Sequence, residues 1–232
     1  MANIAKISQR QIFPSNRANA ANTWSYRNGN PTLIFDINPQ EAYLMSSTLR
    51  LNFKLRIQTA AGAFPNNAAA AGGAAAGARQ NPKIGALACI ASMNIVNSKN
   101  QSLERVINAP RLSATLVATG ASFTSYSEEL QLECGATSSH TAQGRRENAE
   151  QEVCCRILAG IFLMGDAIPL GDSPRGTSGI SIRLNLAPSI EALHGANAAG
   201  AYYEIVNPSL TFQAGLPVGG MLPALQAFPY TS

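Results

Sequence analysis

Between Leu49 and Ile57 the chain reads LRLNFKLRI, with Leu49, Leu51, Phe53, Leu55 and Ile57 apolar and Arg50, Asn52, Lys54 and Arg56 in the places between. Successive side chains of a strand point to opposite faces, so this alternation predicts a half-buried β-strand running to about residue 58. The same period recurs in GISIRLNLAP (179–188), where Ile180, Ile182, Leu184 and Leu186 alternate with Ser181, Arg183 and Asn185. Apolar runs predict further strands at TLIFDI (32–37), which stops at Asn38-Pro39, at IGALACIASMNIVNS (84–98), at VCCRILAGIFLM (153–164) and at AYYEIVNPSLTFQA (201–214). EELQLEC (128–134), with Leu130 and Leu132 at period two, predicts another, and NSKNQSLERVI (97–107) predicts a turn into a short extended piece.

One stretch has helical character. In NAPRLSATLVAT (108–119) Asn108 is a capping residue, Pro110 sits in the first turn, Leu112, Leu116 and Val117 share a face, and Gly120 follows as a terminator. TAAGAFPNNAAAAGGAAAGARQNP (59–82) is low-complexity Ala and Gly; it predicts a long loop insert, with a short helix over 71–78 as the alternative. GATSSHTAQGRRENAEQE (135–152) is polar and loop-like. Seven to eight strands, one short helix and connections longer than hairpin turns predict an all-β fold, an antiparallel β-sandwich, in preference to a barrel. The organisation follows as a basic N-terminal arm (1–30), a β domain (31–214) and an apolar, Pro-punctuated C-terminal tail (215–232) expected to lie on a surface of this subunit or a neighbour.

Charge sharpens that picture. Only 13% of the 232 residues are charged, against roughly 25% in an average soluble domain. A chain that buries much of its exterior against other copies needs fewer solubilising charges, and assembly is the expected consequence. The net charge of +4 belongs to residues 1–30, where Lys6, Arg10, Arg17 and Arg27 stand without any Asp or Glu; the remaining 13 Lys and Arg face 13 Asp and Glu. Four spaced cations predict a weak, non-specific contact of the arm with nucleic acid or an internal membrane.

Candidate chemistry adds little. Cys89, Cys134, Cys154 and Cys155 contain no C-x-x-C pair, and with only His140 and His194 to help they do not predict a zinc site; Cys89, Cys154 and Cys155 lie in apolar runs and are expected to be buried free thiols. No Gly-rich phosphate loop occurs. Glu128-Glu129 and the Glu147, Glu150, Glu152 group beside Arg145 and Arg146 read as solvated charge, not as a paired-carboxylate site. No catalytic, cofactor-binding or metal residues are assigned, and the expected class is non-enzymatic. The N-terminus lacks the apolar core of a signal peptide, and no run reaches the ~20 apolar residues of a membrane helix, so the chain is expected to be made soluble inside a cell.

The order of segments carries a resemblance. Leu44 to Ile57, Leu103 to Leu116, Ile168 to Leu170 within GDAIPLG, Ile180 to Pro188 and Tyr203 to Leu210 together resemble the jelly-roll portion of viral major capsid proteins. The nearest likeness is to the double-jelly-roll lineage of small DNA viruses of the virophage, polinton-like and adintovirus types. It covers about 180 residues. It implies a jelly roll, a structural role in a virion, self-assembly into capsomers of an icosahedral shell, and contacts with other capsid proteins. Only 18 residues follow the last predicted strand, so there is room for one roll, and trimer, pentamer and hexamer capsomers all stay open. The alternatives are a minor or vertex capsid protein, or a carbohydrate- or receptor-binding jelly-roll domain.

Overall fold

The computed structural model describes residues 4–16, 22–58, 79–81, 83–120, 133–134, 151–163, 167–194 and 200–223. Twelve strands are formed by them: β1 (Ile4–Ile12), β2 (Thr23–Trp24), β3 (Thr32–Ile37), β4 (Tyr43–Gln58), β5 (Arg79–Gln80), β6 (Ile90–Val96), β7 (Ser102–Val106), β8 (Gln151–Cys155), β9 (Ala167–Pro169), β10 (Ile180–Leu186), β11 (Leu193–His194) and β12 (Tyr202–Pro217). One sheet has the order β1-β12-β4-β8, with β2 added to β12 and β9 to β4; the other has the order β3-β10-β6-β7. Every pairing is antiparallel.

The eight principal strands pair in a nested order, β1 with β12, β3 with β10, β4 with β8 and β6 with β7. The chain behaves as one long hairpin rolled up so that, on either side of its β6–β7 turn, successive strands fall alternately in the two sheets, which is the jelly roll. Half-buried strands follow directly from their period. Along β4, Leu49, Leu51, Phe53, Leu55 and Ile57 are buried while the polar residues between them are only half covered. Facing them from the second sheet are Leu33 and Phe35 of β3, Ile95 of β6, and Ile182 and Leu184 of β10, all fully buried in the same core. Each such side chain contributes on the order of 1.5–3 kcal/mol through burial.

Tyr203 ties the two sheets together. It is fully buried on β12, and its hydroxyl lies 2.6 Å from the carbonyl of Ala187, just after β10, and 3.0 Å from that of Cys89, just before β6. The Cys89 carbonyl also accepts from the Ala187 amide at 2.8 Å.

The helix is where the sequence places it, spanning Ala109–Gly120 (α1), with the Arg111 amide donating to Asn108 Oδ1 at 3.2 Å as an N-cap. Its most buried residues are Ala109, Ser113 and Val117, a face of small side chains, and Leu112 and Leu116 flank it half-covered. This face lies against β6 and the turn before it.

Three expectations are corrected. Residues 84–89 are not strand: Gly85 (φ 53) turns the chain and Ala86–Cys89 form a buried 3-10 turn before β6 begins at Ile90. The run 153–164 is strand only to Cys155. Beyond it a short helix, Gly160–Leu163, forms because both oxygens of Glu104 on β7 accept from the Gly160 and Ile161 amides at 2.8 Å, satisfying donors that a first turn leaves free. β12 continues past 214 to Pro217, so the start of the expected tail is strand. The segment 128–132, the polar stretch 135–150, the insert from 59 to 78 and the end of the tail from 224 lie outside the described residues.

Candidate functional site

The residues with the strongest functional expectation are the four N-terminal cations, and the structure spreads them out. Lys6 and Arg10 lie on β1, an edge strand whose pairing among the described residues is with β12 alone, at Lys6↔Leu216 and Arg10↔Phe212. Both are exposed, and the Arg10 guanidinium donates from Nε to Ser8 Oγ at 3.4 Å. Arg27 sits near the opposite end of β12, its guanidinium 4.4 Å from the centre of the Tyr202 ring. From Tyr202 to Leu216 is fourteen residues of strand, roughly 45 Å at about 3.3 Å per residue. Arg17 lies outside the described residues. Lys6 and Arg10 therefore share one edge, and Arg27 does not join them.

Much of the segment expected as an arm is built into the sandwich. Ile4–Ile12 is a nine-residue strand. Beyond it the Ser15 amide donates to the Ile34 carbonyl at 2.7 Å, and Asn16 brackets β3 by donating to Thr32 O at 2.6 Å and accepting from the Ile34 amide at 3.0 Å. Trp24 on β2 is buried in the core. The turn after it is latched to the first sheet through Asn28, whose amide donates to Glu204 at 3.1 Å, and Glu204 in turn meets Arg56 at 3.6 Å. Close approach helps to dock the strand: a Cβ on Gly215 would come within 2.9 Å of the Ile4 side chain.

The outer face of the first sheet is polar and partly paired. Asn52 donates to Thr211 Oγ1 at 3.0 Å, Gln11 to Ser209 Oγ at 3.1 Å, and Lys54 approaches Glu152 at 3.9 Å. At its lower corner, β8 pairs with β4 over residues 51–55 and β9 over 43–45, leaving Ser46–Arg50 between them. The segment after β8 closes this gap, and a cavity remains, lined by Ser47, Leu49, Arg50, Arg156, Ile157 and Phe162 among others.

The thiols separate by strand period. Cys155 and Cys89 are buried, and burial pushes both thiols well above their ordinary value; Cys134 is buried as well. Cys154 is exposed, contrary to the expected burial, because neighbours on β8 point to opposite faces. Its thiol is raised by partial burial, pulled down by Arg50 and raised by Glu133. All four are free. Among the described residues no group of three or more His, Cys, Asp and Glu is placed to hold a metal ion.

Neither family models nor curated proteins match the sequence. The fold has a solved counterpart. A chain in the cryo-EM structure of the Sputnik virophage superposes with a TM-score of 0.50 at 8% identity, over 100% of this chain and 50% of that one. The chain thus spans half the length of the virophage chain it matches, and the likeness is one of fold.

Proposed function

We propose that the protein is a structural subunit of a viral capsid, assembling through copies of itself and with other capsid proteins into capsomers of an icosahedral shell. The observation that carries this reading is the superposition of the whole chain on half of a chain from a virophage particle. The nested two-sheet roll is the frame such a wall requires, since its core is internal and its edges and loops are left for neighbours. The scarcity of charge, 13% of residues, fits a surface spent on contacts between subunits. Its place would be the virion, in a major or a minor position.

Light scattering of the purified protein, with negative-stain imaging of the same fractions, tests this directly. Closed rings or shells of three, five, six or more copies are expected. A monomer that persists at high concentration would sink the self-assembling reading.

A further inference from the structure

The corner cavity of the first sheet contains an unneutralised pair of cations. The β4–β8 register ends at Leu51 with Cys155, and the next residues on each side, Arg50 and Arg156, both line the cavity. Elsewhere on this face cations have acidic partners, Lys54 with Glu152 across β4–β8 and Arg56 with Glu204 across β4–β12. Two guanidinium groups lining one small cavity repel each other unless something lies between them. Among the described residues neither arginine forms an ion pair; Glu133 is near enough to raise the Cys154 thiol but bonds to neither.

The pair lines a small, open-mouthed cavity of about 60 Å³. Its floor is apolar and buried, from Leu49, Ile157 and Phe162, and Ser47 stands exposed beside the arginines. Arg50 is fixed there, its Nη1 donating to the carbonyls of Ser47 at 2.9 Å and Leu49 at 3.0 Å. That leaves Nη2 and Nε free to donate, while Arg156 brings a complete fork. Two guanidinium groups and a hydroxyl over an apolar floor match a tetrahedral oxyanion, which accepts two forked donors at once.

We infer that the corner between β4 and the segment following β8 is a binding site for a phosphate-type oxyanion bridging Arg50 and Arg156. The oxyanion comes either from a free phosphate ion or from the backbone of a nucleic acid. Its role would be to neutralise the pair and close this corner of the sheet.

Thermal unfolding of the full chain in rising inorganic phosphate, with ionic strength held constant by chloride, reads the site out. A saturable rise in Tm is expected for the native protein. Arg156→Gln, at an exposed position, should bind phosphate at least about tenfold more weakly, the value of one charge-assisted hydrogen bond. Arg156→Lys, which keeps the charge, should retain part of the rise. In phosphate-free, low-salt buffer Arg156→Gln should unfold at or above the native temperature, because it relieves the repulsion. Equal phosphate response in the native protein and Arg156→Gln would overturn the inference, and so would a clear loss of stability of that variant without phosphate, which would reveal an internal partner for Arg156. Competition by a short mixed-sequence single strand at lower phosphate content than the free ion would assign the oxyanion to nucleic acid; competition only by the free ion would assign it to a small anion.

Discussion

Tyr203 shows how one side chain closes the roll. Its ring fills the core from β12 while its hydroxyl serves carbonyls that precede β6 and follow β10. Tyr203→Phe keeps the ring but strands the Ala187 carbonyl, so it should lower stability by about 1–2 kcal/mol. Urea unfolding should register this as an earlier midpoint with an unchanged slope. The thiols give a second test. In the unfolded chain Cys89 and Cys155 ionise near 9.0, whereas in the fold burial keeps them protonated to much higher pH. Above pH 9 the unfolded state binds fewer protons, so the stability present below that point is lost as pH rises, by about 1.4 kcal/mol per pH unit for each thiol. Tyr203 joins from its ordinary value of 10.0 upward. Denaturant midpoints measured across the alkaline range should fall with this slope, and Cys89→Ala should reduce it by one thiol's share; a flat profile would contradict the burial. At this scale the sequence was a good guide wherever a face is set by period two. The same rule that buries Leu51 and Phe53 exposes Cys154 beside Cys155, and applying it to β8 would have found the exposed thiol.

Among the elements, those whose determinants are local were legible and those with distant determinants were not. The strands at 32–37, 49–58 and 180–186 carry their own periodicity, and α1 carries its own cap at Asn108. The helix at Gly160–Leu163 depends on Glu104, 56 residues earlier, and nothing in GIFL announces it. β1 hid for a different reason. Its isoleucines at 4, 7 and 12 do not alternate: Ile4 and Ile12 are half-buried with Ser8 while Ile7 is exposed, and a register shift between Ile4 and Lys6 interrupts the ladder. β12 shows the converse: Pro208 does not end it, since a shift between Val206 and Ser209, with Asn207 at φ 49, supplies a bulge that tolerates a proline without a ladder donor. The basic sites were placed only partly for the same reason, since Lys6 and Arg10 share an edge that the sequence did not reveal as a strand. β1 holds mainly by its backbone ladder, for most of its side chains are exposed. Its amides should therefore exchange with solvent well before those of β4 and β10, which lie inside their sheets. Hydrogen exchange with mass spectrometry checks this, and equal protection of β1 and β4 would mean that a further partner covers the β1 edge.

For the whole molecule in the proposed assembly, the decisive quantity is what would hold copies together. Its charges are few, and some of those on the outer face of the first sheet are paired within the subunit, as in Lys54 with Glu152 and Arg56 with Glu204. Exposed apolar side chains such as Ile7, Phe13, Ile107, Ile190 and Val218 are distributed over edges and connections instead. Contacts made by such groups, and by uncharged polar ones, gain nothing from Coulomb attraction and lose nothing to screening. At about 1 M salt the Debye length shrinks to about 3 Å, enough to suppress attraction between exposed charges. Assemblies of this protein should therefore keep their mass in light scattering from about 0.1 M to about 1 M salt. Binding of nucleic acid through the N-terminal cations should behave oppositely, since each phosphate neutralised lowers log K by about 0.9 per decade of salt. A mass that falls to the monomer at high salt would show that charged contacts hold the subunits together. The Lys6 and Arg10 edge would then be the first place to look, because there the structure leaves cations exposed on an edge strand, and Lys6→Gln with Arg10→Gln should reproduce the dissociation at low salt. A mass that does not change locates the cohesion in the uncharged surface and leaves the basic edge free to meet something other than a neighbouring subunit.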